Sequence, residues 1–169
     1  MSVVLNAGEI ARALKRISHE ILEKNHGSSE VLLLGIPTRG AFLSARIARE
    51  INEIENTSIP VGTLDITMYR DDLRMRPPRT LLPTEIPSCG IDDKHVVLID
   101  DVFYSGRTIR AALDALNEIG RPRSVGNFFT APSDSRDNSV AVSSISIASV
   151  LLRSLIESRC LILYPYLQW

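Results

Sequence analysis

The run Val96-Val97-Leu98-Ile99-Asp100-Asp101-Val102-Phe103-Tyr104-Ser105-Gly106-Arg107-Thr108 constrains this chain more than any other stretch. Four apolar residues without alternation predict a strand buried on both faces, as a parallel sheet covered by helices on each side requires. Two carboxylates end that strand. Ser105 to Thr108 then form a tight polar turn. From Arg107 the apolar spacing becomes Ile109, Ala112, Leu113, Leu116 and Ile119, one face of an amphipathic helix that stops at Gly120, with Pro122 just beyond. The fold class this predicts is α/β, a twisted and mainly parallel sheet with helices on both faces.

The order of these parts dictates a chemistry. A turn that opens a helix presents unpaired backbone N–H groups and the positive end of the helix dipole to an anion of phosphate size. Gly106 lets the backbone approach such a group, and the hydroxyls of Ser105 and Thr108 add donors. Asp100 and Asp101 repel a phosphate; they suit paired hydroxyls or a hydrated divalent cation. A phosphorylated sugar meets both requirements. No Gly-x-x-x-x-Gly-Lys run and no dinucleotide glycine fingerprint occurs, which excludes those two phosphate-binding devices.

Upstream the same grammar repeats. Asn6 and Glu9 form a capping box for a helix with Ile10, Ala13, Leu14, Ile17, Ile21 and Leu22 on one stripe and Gly27 at its end. Its other face carries Arg12, Lys15, Arg16 and His19, either a solvated surface or a patch for a polyanion. Val31 to Ile36 predicts a second buried strand, ending at Pro37-Thr38-Arg39-Gly40 before a helix whose apolar face uses Phe42, Leu43, Ile47, Ile51 and Ile54. Arg39, beside exposed N–H groups, suits a second anion. Ile59 to Tyr69 predicts a third strand, and Arg70 to Arg79, charged and proline-bearing, predicts a loop. Leu81 to Lys94 is an irregular connection with no chemistry assigned; His95 is a strand-edge residue, and Val125 to Thr130 predicts a further strand.

Three segments, Gly35 to Gly40, Asp65 to Leu73 and Asp100 to Thr108, resemble in sequence and order the family of bifunctional pyrimidine operon regulators and uracil phosphoribosyltransferases, which are type I phosphoribosyltransferases. The resemblance runs from residue 1 to about 124. It implies that Thr38, Arg39, Gly40, Asp100, Asp101, Tyr104, Ser105, Gly106, Arg107 and Thr108 bind phosphoribosyl pyrophosphate (PRPP). Arg39, Asp100 and Asp101 are then catalytic, and Asp100 and Asp101 meet Mg²⁺ indirectly through PRPP and water. It makes Thr38 part of the pyrophosphate loop, where the family often holds a non-proline peptide in the cis form. Tyr69, Arg70, Asp71, Asp72, Arg74 and Arg76 become the flexible loop that meets the leaving group, and Arg16 and His19 an RNA contact. Tyr104 stands where purine-salvage relatives carry an aspartate, which points away from purine substrates. The implied partners are PRPP, uracil, uridine nucleotides and pyrimidine-operon leader mRNA, in a homo-oligomer of two or more subunits.

Beyond Ser124 the pattern breaks. Nine serines fall between Ser133 and Ser158, as many as in the whole chain before them, while charged residues become scarce. The expected organisation is a phosphoribosyltransferase-like domain over 1–130 and a divergent tail over 131–169. That tail is either a sheet-completing segment that recognises the base or a frameshifted replacement for one. In the second case the chain is a PRPP-binding remnant without base recognition or catalysis. With 169 residues and a net charge of −1, the chain suits one core and gives no bulk signal for nucleic acid, so an RNA surface has to be local. Cys89 and Cys160 make neither a metal site nor a disulfide framework, and no signal peptide or long apolar span is visible, so the expected setting is cytoplasmic, without a membrane partner.

Overall fold

The computed structural model describes residues 6–70, 81–101 and 106–128. Helix α1 (Ala7–Asn25) opens with the expected capping box: the Asn6 N–H donates to Glu9 Oε2 at 2.7 Å and the Glu9 N–H to Asn6 Oδ1 at 2.9 Å. Such a cap is worth about 1 kcal/mol. The helix ends where His26 takes the left-handed conformation and the Gly27 N–H returns to the Leu22 carbonyl.

Four strands follow: β1 (Val31–Gly35), β2 (Val61–Thr63), β3 (His95–Ile99) and β4 (Ser124–Phe128). They form one sheet in the order β2-β1-β3-β4, and every pairing is parallel. Five residue pairs, from Val31 opposite His95 to Gly35 opposite Ile99, lock β1 to β3. Both central strands are apolar because helices cover both faces. On one face Val31, Leu33, Val97 and Ile99 pack with Leu14, Ile17 and Ile21 of α1 and with Ile47 and Ile51 of α2 (Arg39–Glu55). On the other, Leu32, Leu34, Val96 and Leu98 pack with Ala111, Ala112, Ala115 and Leu116 of α3 (Arg107–Ile119). At roughly 2 kcal/mol for each large side chain removed from water, these two layers supply the main force holding the domain together.

The structure shifts several expected details. Phe42, placed on the buried face of α2 by its spacing, is 47% exposed, and Gly40, Ser44 and Ala48 occupy the contact with Ile47 and Ile51. In α3 the buried stripe runs through Ala111 and Ala115, and Ile119 is exposed; the small side chains let the helix axis lie close to the sheet. The third strand is short. It ends at Thr63, and a single 3₁₀ turn, Thr67–Tyr69, replaces the rest of the expected strand. Asp65 causes the break, since its Oδ1 accepts the Thr67 N–H at 2.9 Å and the Thr67 hydroxyl at 2.5 Å, a local bond that competes with a ladder. Nor is the connection after residue 80 without order: Thr63 and Glu85 exchange two backbone bonds of 2.9 Å as an antiparallel bridge. Gly62 permits the approach, because a Cβ there would strike the Glu85 carbonyl oxygen. Among the described residues no helix is long and apolar enough to cross a membrane. The tail after 130 lies outside the described residues.

Candidate functional site

The chain leaves β1 toward α2 and β2 on one side, and leaves β3 toward α3 and β4 on the other. The direction of winding reverses between β1 and β3, and the crevice beyond their carboxyl ends is where open α/β sheets bind ligands. Two loops line it. Residues 36–38 lead from β1 into α2, and Asp100 and Asp101 at the end of β3, with Gly106 at the start of α3, form the other side.

Glycines bring these loops together. A Cβ on Gly40 would strike the carbonyl oxygen of Ile99 and lie 3.2 Å from Asp100 Cα; one on Gly35 would lie 2.5 Å from Ala41 Cα. The first turn of α2 therefore rests directly on the end of β3. The Ile36 N–H donates to the Ile99 carbonyl at 2.9 Å and continues the ladder one residue past β1. The peptide between Pro37 and Thr38 is cis, as the resemblance implies for this loop.

Arg39 and Asp101 meet across the crevice, Arg39 Nη1 donating to Asp101 Oδ2 at 2.8 Å. Asp100, beside it, is half-buried. Burial, then the neighbouring charge of Asp101, pushes its pKa up to about 7, while the bond from the Asp101 N–H and the charge of Arg70 act the other way. Near neutral pH the two acids thus hold fewer than two negative charges, and a ligand that brings hydroxyl donors or positive charge favours full ionisation. No group of three or more His, Cys, Asp or Glu side chains able to hold a metal occurs among the described residues. A donor set of two carboxylates suits Mg²⁺ that keeps water and phosphate oxygens as its other ligands.

The far wall is the start of α3. Gly106 is its N-cap with φ 71°, a left-handed conformation that glycine adopts without steric cost. The first helical bond there runs from the Arg110 N–H to the Gly106 carbonyl, so the N–H groups of Arg107, Thr108 and Ile109 precede the helix's own ladder. Arg107 is exposed and Thr108 half-buried.

Thr38, Arg39, Gly40, Asp100, Asp101, Gly106, Arg107 and Thr108 all stand at this crevice, on the two loops that line it and the helix starts that follow them. Tyr104, Ser105, Asp71, Asp72, Arg74 and Arg76 lie outside the described residues. Tyr69, grouped with the loop by sequence, belongs to the 3₁₀ turn; its hydroxyl donates to Glu118 of α3 at 2.6 Å, and that bond raises its pKa. Arg16 and His19 sit on α1, His19 exposed and Arg16 half-buried, with Arg16 Nε 3.8 Å from Glu20 Oε1. The sequence reading missed the role of Asp65 in joining chain segments around the crevice. The signal was there in Asp65-Ile66-Thr67, the spacing of a side-chain-capped turn.

The family model described as the phosphoribosyl transferase domain matches residues 2–129. The chain is 64% identical over 122 residues to a protein of Streptomyces coelicolor named bifunctional protein PyrR, covering 72% of this chain and 63% of that protein. It is 57% identical over 128 residues to the protein of the same name from Leifsonia xyli, covering 73% of this chain and 69% of its relative. It thus spans less than two thirds of the length of the first relative and slightly more of the second. Among solved structures, a hypoxanthine-guanine phosphoribosyltransferase from Bacillus anthracis superposes with a TM-score of 0.63 at 14% identity, covering 85% of this chain and 82% of that one, a likeness of fold. On its parallel sheet, its crevice and these matches, the chain belongs to the phosphoribosyl transferase domain family, in the branch of the bifunctional PyrR proteins.

Proposed function

We propose that this protein regulates pyrimidine operons by attenuation, binding leader mRNA in response to uridine nucleotides, and also converts uracil and PRPP to UMP and pyrophosphate. The observation that carries the reading is the acid pair Asp100–Asp101, set at the carboxyl end of β3 between Arg39 and the open turn of α3. A ribose bearing a 5′-phosphate and a 1-pyrophosphate has groups to match each of these.

In the forward reaction a pyrimidine nitrogen forms a bond to C1 and gives up its proton to solvent as the C1–O bond to pyrophosphate breaks, through an oxocarbenium-like transition state. The amides at the start of α3 hold the 5′-phosphate, a remote contact that positions C1. Asp100 and Asp101 accept hydrogen bonds from the ribose hydroxyls and offset the positive charge that develops on the ring. Arg39 and Arg70 face the charge that accumulates on the departing pyrophosphate. Asp100 and Asp101 would hold Mg²⁺ through water when PRPP brings it in, and the ion would neutralise part of that charge. For the regulatory activity Arg16 and His19 offer cationic and hydrogen-bonding contacts to RNA phosphates. A homo-oligomer in the cytoplasm is the proposed setting.

A second reading has its own support. The family match ends at residue 129, and the composition changes beyond Ser124, where the base-recognising segment is expected. On that reading 131–169 is a replaced tail and the protein a PRPP-binding remnant. The test is UMP formation from labelled uracil, PRPP and Mg²⁺, run beside PRPP binding by calorimetry and salt-dependent binding of leader RNA. UMP formation, with RNA binding weakened in an Arg16→Ala/His19→Ala variant, supports the first reading. PRPP binding with neither UMP formation nor RNA binding supports the second, and no PRPP binding refutes both.

A further inference from the structure

Asp65 has a bonding pattern that the proposed reaction does not yet use. Its Oδ1 accepts from the Thr67 N–H and hydroxyl, and its Oδ2 accepts the Leu82 N–H at 2.7 Å. Its own N–H donates to Thr84 Oγ1 at 3.0 Å. One half-buried carboxylate thus grips the chain on both sides of residues 71–80: Thr67, three residues before Arg70, and Leu82, just after Leu81. Each side is secured again. The Tyr69 N–H bonds to the Ile66 carbonyl, the Arg70 N–H to that of Thr67, and the Tyr69 hydroxyl to Glu118. On the returning side Thr63 Oγ1 donates to the Pro83 carbonyl at 3.1 Å, beside the Thr63–Glu85 bridge.

The chemistry of the grip requires a carboxylate. Among the described residues three donors reach its two oxygens, from both sides of the segment, so both oxygens must accept. Asparagine has one acceptor oxygen, and its NH₂ would face either Leu82 N–H or Thr67 as donor against donor. Charge also strengthens each bond relative to a neutral acceptor. What this grip orients is Arg70. That residue follows the 3₁₀ turn directly, and its charge acts on Asp100.

We propose that Asp65 is a positioning residue that, by bonding Thr67 and Leu82 at once, fixes Arg70 in front of the Asp100–Asp101 pair and so orders the pyrophosphate end of the pocket. The proposal deepens the transferase reading and rests on it for its kinetic consequence, but not for its structural one.

The test uses the full chain with Asp65→Asn, Arg70→Ala and the double variant. Amide hydrogen exchange is the structural readout. Loss of one side of the grip speeds exchange at Thr67, Arg70 and Leu82 by about tenfold or more, while β1 and β3 amides keep their protection. Unchanged exchange at those three amides overturns the proposal, and a uniform rise across the sheet overturns it too by making Asp65 a general support. The second readout is a double-mutant cycle. Asp65→Asn raises KM for PRPP by about tenfold, leaves KM for uracil within about twofold, and adds nothing further in the Arg70→Ala background. Additive losses, or equal losses for both substrates, mean that Asp65 does not act through Arg70. Should the wild-type protein form no UMP, the uracil reading fails by that control alone, and the same cycle is run on the Kd for PRPP. If PRPP is not bound either, the exchange result decides.

Discussion

Gly8 and Gly40 each occupy the second residue of a helix, and the structure predicts opposite outcomes for the same substitution. In α1 a Cβ on Gly8 would meet the end of the Arg12 side chain at 3.7 Å, which can move, and the capping Oδ1 of Asn6 at 3.3 Å, which needs to give by only a few tenths of an ångström and can keep its bond to the Glu9 N–H. Gly8→Ala therefore gains helix propensity and lowers the entropy of the unfolded chain, for a net change between zero and about 1 kcal/mol of added stability. In α2 the same methyl on Gly40 would collide with the Ile99 carbonyl oxygen, with Ile99 C and Asp100 Cα each 3.2 Å away. These are backbone atoms, which have no rotamer to adopt. Relief requires α2 to lift off β3 and disturb the packing of Ile47 and Ile51, an overpacking cost of roughly 2–3 kcal/mol against a propensity gain of about 1 kcal/mol. Urea unfolding should show Gly40→Ala about 1–2 kcal/mol less stable than wild type, and a thermal scan a Tm lower by roughly 2–8 °C. PRPP affinity should fall with it, because the helix that moves carries Arg39. Equal or greater stability for Gly40→Ala, or a loss of the same size in Gly8→Ala, refutes the account of how the two loops are brought together.

Two further outcomes follow from the crevice. Arg39 is mostly exposed, so Arg39→Ala should change stability by less than about 1 kcal/mol while lowering PRPP affinity by about tenfold or more in calorimetry, with Arg39→Lys recovering only part of it. Asp100, its pKa raised from 3.8 to about 7 by burial and by Asp101, binds a proton more readily in the folded state than in the unfolded chain. Its ionisation therefore costs stability as pH rises from about 4 through 7, by the linkage relation. Asp100→Asn removes that cost, so its gain over wild type should be larger at pH 8 than at pH 5, by about 2 kcal/mol once sharing with Asp101 is allowed for. An equal difference at the two pH values in urea unfolding refutes the assignment.

Much of the frame was legible because burial on two faces leaves a strong mark. Val96 to Ile99 and Val31 to Ile36 lack alternation, and they are the two central strands. The capping box of α1, the Gly120 stop of α3 and the place of His95 at the start of β3, where its Nδ1 lies 2.6 Å from Ser124 Oγ, were equally plain, being local in sequence. Contacts made across long separations were not. Nothing near Arg39 announces Asp101, 62 positions on, and nothing near Asp65 announces Leu82. The strand pattern over Ile59 to Tyr69 breaks at Asp65, whose side chain accepts from Thr67 locally in place of a ladder bond. Phe42 failed because a helix that lies this close to a strand presents glycine, serine and alanine at the contact and turns its aromatic residue outward.

The pairing of Arg39 with Asp101 has a consequence for selectivity. In the resting protein each already has a counter-charge, so a visitor must offer an exchange of partners. A bare anion that takes the guanidinium strands the aspartate, whereas a solute bearing positive charge beside its phosphates, or hydroxyls ready to donate, satisfies both halves together. Free inorganic anions, abundant in any cell, are thereby disfavoured without any wall to keep them out.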